Sequence, residues 1–176
     1  MPLKRQPLYG LAHLIQLSLR DRLVRGSSAD LFAPPRSGRI FKLFRKPAST
    51  RGQKLSQRIF SGEVAAYERA CANSGLRGHI PQFFGTTAVA KVLGRVNQDV
   101  SYRYLLECCI CIERLPGKDR KLFGVPDPHL GPVLSLLERF NAAGIAYVAD
   151  ASVFGWMNPS SMKFIDFAIV DPSFYQ

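Results

Sequence analysis

The chain has 176 residues, 47% of them hydrophobic, enough to bury one core or two small lobes sharing a cleft and too few for a second full-sized domain. Its 24 Lys+Arg against 13 Asp+Glu give a formal charge of +11, which favours a polyanionic partner without choosing among nucleotide, nucleic acid, acidic protein surface and lipid headgroup. No apolar run approaches the ~18 residues of a membrane span, so the expectation is a soluble protein with no membrane partner.

At the amino terminus Lys4 and Arg5 precede a run that superficially resembles a signal peptide. His13, Gln16 and Ser18 interrupt it, however, and no small-residue cleavage site follows. Leu8, Leu11, Ile15 and Leu19 instead suit an amphipathic first helix. Residues 22–44 alternate strand-formers with turn-formers and predict three short antiparallel strands, at Leu23-Val24, Leu31-Phe32 and 40–44. A basic loop over 45–53 leads to a helix on which Phe60, Val64, Tyr67 and Cys71 share a face, ended by Asn73, Ser74 and Gly75. Strands follow near 83–93 and 102–112, and then a Pro-, Gly- and charge-rich linker over 113–126. Leu130, Val133, Leu134, Leu137 and Phe140 mark a second helix ending at Gly144. Short strands around 154–157 and 162–166, joined by Asn158-Pro159-Ser160-Ser161, close the chain. The order strands, helix, strands, linker, helix, hairpin is α+β, with two unequal halves.

Three of the four cysteines, Cys108, Cys109 and Cys111, crowd one apolar run, where strand alternation sends two to one face and one to the other. Lacking paired knuckles and a nearby His, they read as buried free thiols of a reducing compartment rather than a zinc site. Two acids stand where acids are costly. Asp150 ends the apolar run 145–149, and Asp166 follows Phe164-Ile165. A carboxylate at the mouth of a buried strand must be paired, hydrogen-bonded or metal-bound. Either one alone is an ordinary cap or turn residue, whereas two flanking one small hairpin point to a shared cation.

From about Leu23 to Phe167 these features resemble the protein-kinase superfamily. Asp150 before the hairpin and Ile165-Asp166-Phe167 after it are similar to the family's catalytic loop and its DFG metal-binding loop. The resemblance implies a minimal protein-kinase-like fold in one domain, 1–176. Residues 1–112 would form a sheet-plus-helix N-lobe, 113–126 a hinge, and 127–176 a strongly truncated C-lobe. It makes Asp150 the catalytic residue that orients the substrate hydroxyl, and Asp166 the Mg2+ ligand at the phosphates of ATP; Asn158, in the hairpin turn, is the candidate substitute for the second metal ligand. Arg39-Ile40-Phe41-Lys42 resembles the V-A-I-K strand, placing Lys42 on the α- and β-phosphates. Glu63, 21 positions on, would be its ion-pair partner, with Glu68 the competing candidate. Gly26, Ser27 and Ser28 fall where a glycine-rich loop covers the phosphates, and Glu113 and Leu115 where hinge backbone meets adenine.

The departures from the family pattern are specific. Val148 and Ala149 replace the catalytic-loop His and Arg, Ala168 replaces the DFG glycine, and Gly155 stands where the metal-binding Asn belongs. Ser152 occupies the place of a phosphate-facing Lys, and ten residues follow Asp166. The resemblance is nearest to the minimal kinases that pathogenic bacteria deliver into host cytoplasm. It implies an ATP-dependent kinase acting on a Ser, Thr or Tyr hydroxyl of a host protein, such as a chaperone or signalling protein. That protein would be recognised through the basic amino-terminal half. Alternatives are a catalytically inactive kinase-like binding module, a small-molecule kinase and a nucleic-acid-binding domain. The last is disfavoured because aromatic residues are not interleaved with the basic run 36–51.

Overall fold

The computed structural model describes residues 15–121 and 124–169, and for 147–151 and 167–169 the backbone alone. The fold is α+β. Its main sheet holds strands β2 (Arg22–Arg25), β3 (Ala29–Phe32), β4 (Arg39–Arg45), β5 (Phe83–Thr87) and β7 (Tyr104–Glu113). These lie in the order β2-β3-β4-β7-β5, every pair antiparallel. Helix α1 (Thr50–Ala72) covers one face, and the face it covers follows from strand alternation. Ile40 and Phe44 of β4 join the core beneath α1, while Phe41 and Leu43 point into a second cluster on the far side. Lys42 shares the α1 side by the same period. In β7, Cys108 faces α1 and Cys109 and Cys111 face away, all three buried and free, whereas Cys71 is exposed.

The first predicted helix needs correction. Residues 1–14, with Leu8 and Leu11, lie outside the described residues, but Ile15–Ser18 is a strand, β1, paired in parallel with β6 (Val89–Leu93). Ile15, Leu17 and Leu19 also alternate with Gln16 and Ser18, and that period prevails because Leu17 seals the second cluster against Val92. The predicted strand over 83–93 is accordingly two strands, β5 in the main sheet and β6 outside it.

Helix α1 begins at Thr50, earlier than the predicted loop allows. Ser49 caps it, its hydroxyl accepting from the Gly52 N–H at 3.1 Å. Glycine there discourages a helix by propensity, but a Cβ at Gly52 would press on Pro47 and on the capping Ser49 Oγ.

The second half is a three-stranded sheet in the order β10-β9-β8, with β8 (Arg120–Lys121), β9 (Ile145–Phe154) and β10 (Lys163–Ile169), packed by α2 (Asp127–Ala142). Here too the linker over 113–126 is not all linker, because β8 pairs with β9. The hairpin strands are longer than the sequence suggests, and residues 155–157 belong to the turn. On α2 the buried stripe is Val133, Leu136, Leu137 and Phe140, while Leu134 is exposed. One hydrophobic cluster runs from Phe44 and Tyr67 through Ile110 to Phe140, Ile145 and Phe164, so both halves share a continuous core. Among the described residues no helix is long and apolar enough to cross a membrane.

Candidate active site

Lys42 sits on the α1 face of β4, paired with Leu31 of β3 on one side and Ile110 of β7 on the other. Its ammonium donates to Glu63 Oε1 at 2.8 Å and to Asp166 Oδ1 at 3.0 Å. Three elements far apart in sequence thus converge on one charge. Glu68, the competing partner, lies on the exposed side of α1. Glu63 falls on the stripe with Ala66, Tyr67 and Ala70, which packs inward.

The two acids differ in access, and the difference separates their capacities. The Glu63 side chain is 5% exposed, so it is a fixed holder of Lys42; that of Asp166 is 31% exposed and opens to the cleft. Burial pushes the Glu63 carboxyl up, with the Lys42 ammonium opposing. Burial also pulls the Lys42 ammonium down, but the Glu63 and Asp166 carboxylates outweigh it and hold its pKa above the ordinary lysine value. Lys42 is therefore a permanent cation at the cleft.

That cleft has a volume of about 270 Å³. Its roof is the β2–β3 turn, with Gly26, Ser27 and Ser28; its floor holds Lys42, Glu63 and Asp166. Gly26 is required by the turn, because a Cβ there would drive into the Ala29 carbonyl that its own N–H bonds at 3.0 Å. The Gly26 amide is therefore taken, and a phosphate beneath the turn would meet Ser27 and Ser28.

Asp166 owes its place to an irregularity between β9 and β10. Ser152 pairs with Ile165 and Tyr147 with Phe167, so residues 148–151 have Asp166 alone opposite them. Asp166 bends through a left-handed φ of 67°, a conformation Asp tolerates better than most residues. Asp150 lies within the four-residue stretch facing it; the Asp150 side chain is outside the described residues.

Other predicted residues are not brought here. Asn158 is exposed at the hairpin tip, where its Oδ1 accepts from the Ser160 N–H at 3.1 Å as a turn-forming side chain, away from the cleft lining. Gly155, at φ 62°, starts that turn, and a Cβ would press on the Ser161 carbonyl. Glu113 and Leu115 do not line the cleft. The Glu113 carboxylate bonds Lys163 at 2.9 Å and the Gln82 N–H at 3.1 Å, and its own N–H donates to the Gln82 carbonyl at 2.9 Å.

One cleft residue has no signal in the sequence. Lys121 of β8 lines the cleft, held in register with Ser152 of β9, and Ser152 is 2% exposed. The short charged strand that places Lys121 is defined by pairing 31 positions away, which no local pattern announces.

Among the described residues, the cleft carboxylate open to a hard dication is Asp166, the more exposed of the two partners of Lys42, whereas Glu63 is buried against it. Among the described residues no group of three His, Cys, Asp or Glu gathers into a closed metal cage. An ion held by Asp166 would complete its coordination with water or ligand oxygens. No protein-family model matches the chain, and no curated protein matches it significantly.

Proposed function

We propose that the chain is an ATP-dependent protein kinase with a minimal kinase-like fold, transferring the γ-phosphate to a Ser, Thr or Tyr hydroxyl of a protein. The observation that carries this reading is Lys42, held between Glu63 and Asp166 beneath the Gly26–Ser28 turn. Lys42 would hold the α- and β-phosphates, and Asp166 would hold Mg2+, which would supply charge neutralisation on the phosphates when bound. The Ser27 and Ser28 amides cover the phosphates, Lys121 adds a second cation, and Asp150 orients the acceptor hydroxyl.

Adenine lies toward Glu113 and Leu115. The pairings Lys42 with Ile110 and Arg39 with Glu113 separate these ends by three residues of β4, roughly 10 Å at ~3.3 Å per residue, the scale of a nucleoside with its first phosphates. The Glu113 N–H is taken by the Gln82 carbonyl, so the base would be held by the Glu113 carbonyl and the Leu115 peptide. Catalysis rests on alignment and charge stabilisation rather than on a covalent intermediate. The substrate is a host protein, of the chaperone or signalling class, as for the minimal kinases that bacteria deliver into host cells, and the basic amino-terminal half supplies its docking surface.

A second reading, a nucleotide-binding module without transfer, is favoured by Asn158, which leaves no second metal ligand in the described cleft. Radiolabel transfer from γ-labelled ATP with Mg2+ separates the two. Wild type, alone and with a eukaryotic lysate, is compared with Asp150→Ala and Asp166→Asn. Labelling of the chain or of a discrete lysate band by wild type alone supports the kinase. ATP binding with no label in any of the three leaves the module.

A further inference from the structure

Strand β8 carries a lysine into the cleft from between the two halves, and its neighbours fix how it arrives. Arg120 pairs with Val153 and Lys121 with Ser152, so strand alternation sends the two side chains to opposite faces of the sheet. Val153 belongs to the core shared with α2. The Arg120 guanidinium lies over the Trp156 ring, 5.0 Å from its centroid, within the range of a cation–π contact. His129 of α2 meets the same ring edge-on at 5.1 Å, and Arg120 Nη1 donates to the Gly124 carbonyl at 3.3 Å. A strand of two residues has few ladder hydrogen bonds to hold it. The side chain of its first residue makes up that deficit and so sets the facing of its second, Lys121, which lines the cleft.

The charges of the cleft define what this lysine adds. Among the described residues the lining holds two cations, Lys42 and Lys121, and two carboxylates, Glu63 and Asp166. Lys42 is held by both acids, at 2.8 and 3.0 Å, so these three groups together leave one negative charge in excess, which opposes a polyanion. Lys121 brings the lining to balance, and a dication on Asp166 makes it positive.

The register places Lys121 at the Asp166 end of the cleft. Lys163, bonded to Glu113 at the end proposed for adenine, pairs with Phe154. Two residues farther on, Ser152 pairs with Ile165 on one side and with Lys121 on the other. The Lys121 backbone thus stands two strand spacings, roughly 10 Å at ~4.8 Å each, from the residue before Asp166. A phosphate chain running from Lys42 past Asp166 meets its next cation there.

We infer that, given a nucleotide in the cleft as proposed above, Lys121 binds the terminal phosphate of a nucleoside triphosphate, and that Arg120 positions it through Trp156. A diphosphate lacks the group that Lys121 holds, so the cleft selects the triphosphate.

Calorimetric titration of the full chain with ATP or ADP, each with Mg2+, tests this. Wild type is expected to bind ATP about tenfold more tightly than ADP, the scale of one charge-assisted hydrogen bond. Lys121→Met should weaken ATP about tenfold and leave ADP as it was, which also shows that the variant is folded, and Lys121→Arg should restore the preference. Lys118→Met, an exposed cation outside the cleft lining, should change nothing. Arg120→Ala should reduce the ATP-to-ADP ratio with ADP unchanged. Trp156 is the single tryptophan of the chain, so the same variant should shift the tryptophan emission. An unchanged ratio or an unchanged emission removes Arg120 as the positioning residue. The role of Lys121 is overturned if Lys121→Met weakens both nucleotides alike or neither, if Lys118→Met matches it, or if wild type binds the two equally; in each of these cases nucleotide binding itself stands. A wild type that binds neither nucleotide withdraws the nucleotide reading, and the role of Lys121 with it.

Discussion

At the scale of single residues, the site is one cation shared by one buried and one accessible carboxylate. Removing Lys42 leaves Glu63 buried at 5% exposure without its partner, and breaking a buried pair in this way costs about 3–5 kcal/mol. The cost depends on pH in a calculable direction. Burial already raises the Glu63 carboxyl and Lys42 opposes that rise, so Lys42→Met raises it further. A group whose folded pKa lies above its unfolded value contributes stability that is full below the unfolded pKa and is lost as pH rises through the folded one. The melting-temperature deficit of Lys42→Met is therefore expected to be small at pH 5 and to widen toward pH 8, and Lys42→Met/Glu63→Gln should recover most of it. A deficit that stays constant with pH would remove Glu63 as the partner that matters. This pair was legible through the resemblance of Lys42 to the family's strand lysine and of Glu63 to its helix glutamate, with Glu68 left open; strand period and helix period put Lys42 and Glu63 on the face between β4 and α1. Asn158 was readable both as a turn residue and as a substitute ligand because the two are the same letter, and the Ser160 amide at its Oδ1 shows the turn role. Lys121 was invisible because its position depends on a partner strand distant in sequence.

At the scale of elements, α1 and β7 were legible because their patterns are long, whereas β1 and β8 were not, because two or four residues carry too little periodicity to outweigh competing readings. Strand β7 makes a direct prediction. Burial pushes the Cys108 thiol up to about 11, with the Glu107 carboxylate adding to the rise, and drives Cys109 higher still. At pH 8 these thiols are protonated as well as enclosed. Brief alkylation of the native chain followed by mass spectrometry should give one adduct, on exposed Cys71, with Cys108, Cys109 and Cys111 modified only in denaturant. Early labelling of Cys109 would contradict the two-faced burial of β7. Helix α1 makes another. Gly62, Ala66 and Ala70 form a buried stripe of small residues at helical spacing, close to Glu63 on a helix that packs against β10. Ala66→Leu overfills it, at about 1–3 kcal/mol, and lifts α1 from the sheet, carrying Glu63 away from Lys42. Denaturant titration should record the stability loss, and nucleotide affinity should fall with it. A variant that loses stability while binding nucleotide as wild type does would mean that Glu63 is not needed to place Lys42.

At the scale of the molecule, the cleft belongs to both halves at once. Gly26, Lys42 and Glu63 come from the first half, Lys121 and Asp166 from the second. Further links tie the halves together: Lys163 to Glu113 at 2.9 Å, His79 Nδ1 to the Met162 carbonyl at 3.0 Å, and Arg69 of α1 to the Gly144 carbonyl at the end of α2, also at 3.0 Å. With one core running through both halves, they should melt as one unit, and a ligand spanning the cleft should stabilise that whole unit. For a ligand at 100 times its dissociation constant the gain is about 2.7 kcal/mol, which at ~2–4 °C per kcal/mol for a chain of this size raises the melting temperature by about 5–10 °C. ATP with Mg2+ is expected to produce this shift in a single transition. Asp166→Asn is the informative variant, because Asn also tolerates the left-handed backbone at this position, so the substitution removes charge without adding strain. It should keep the shift given by ATP alone, carried by Lys42, and lose the increment added by Mg2+. An increment that survives in Asp166→Asn would place the metal on another group, with Asp150 the next to substitute. No shift in wild type with any nucleotide would withdraw the nucleotide reading itself, while leaving the Glu63–Lys42–Asp166 cluster as a structural lock between the two halves.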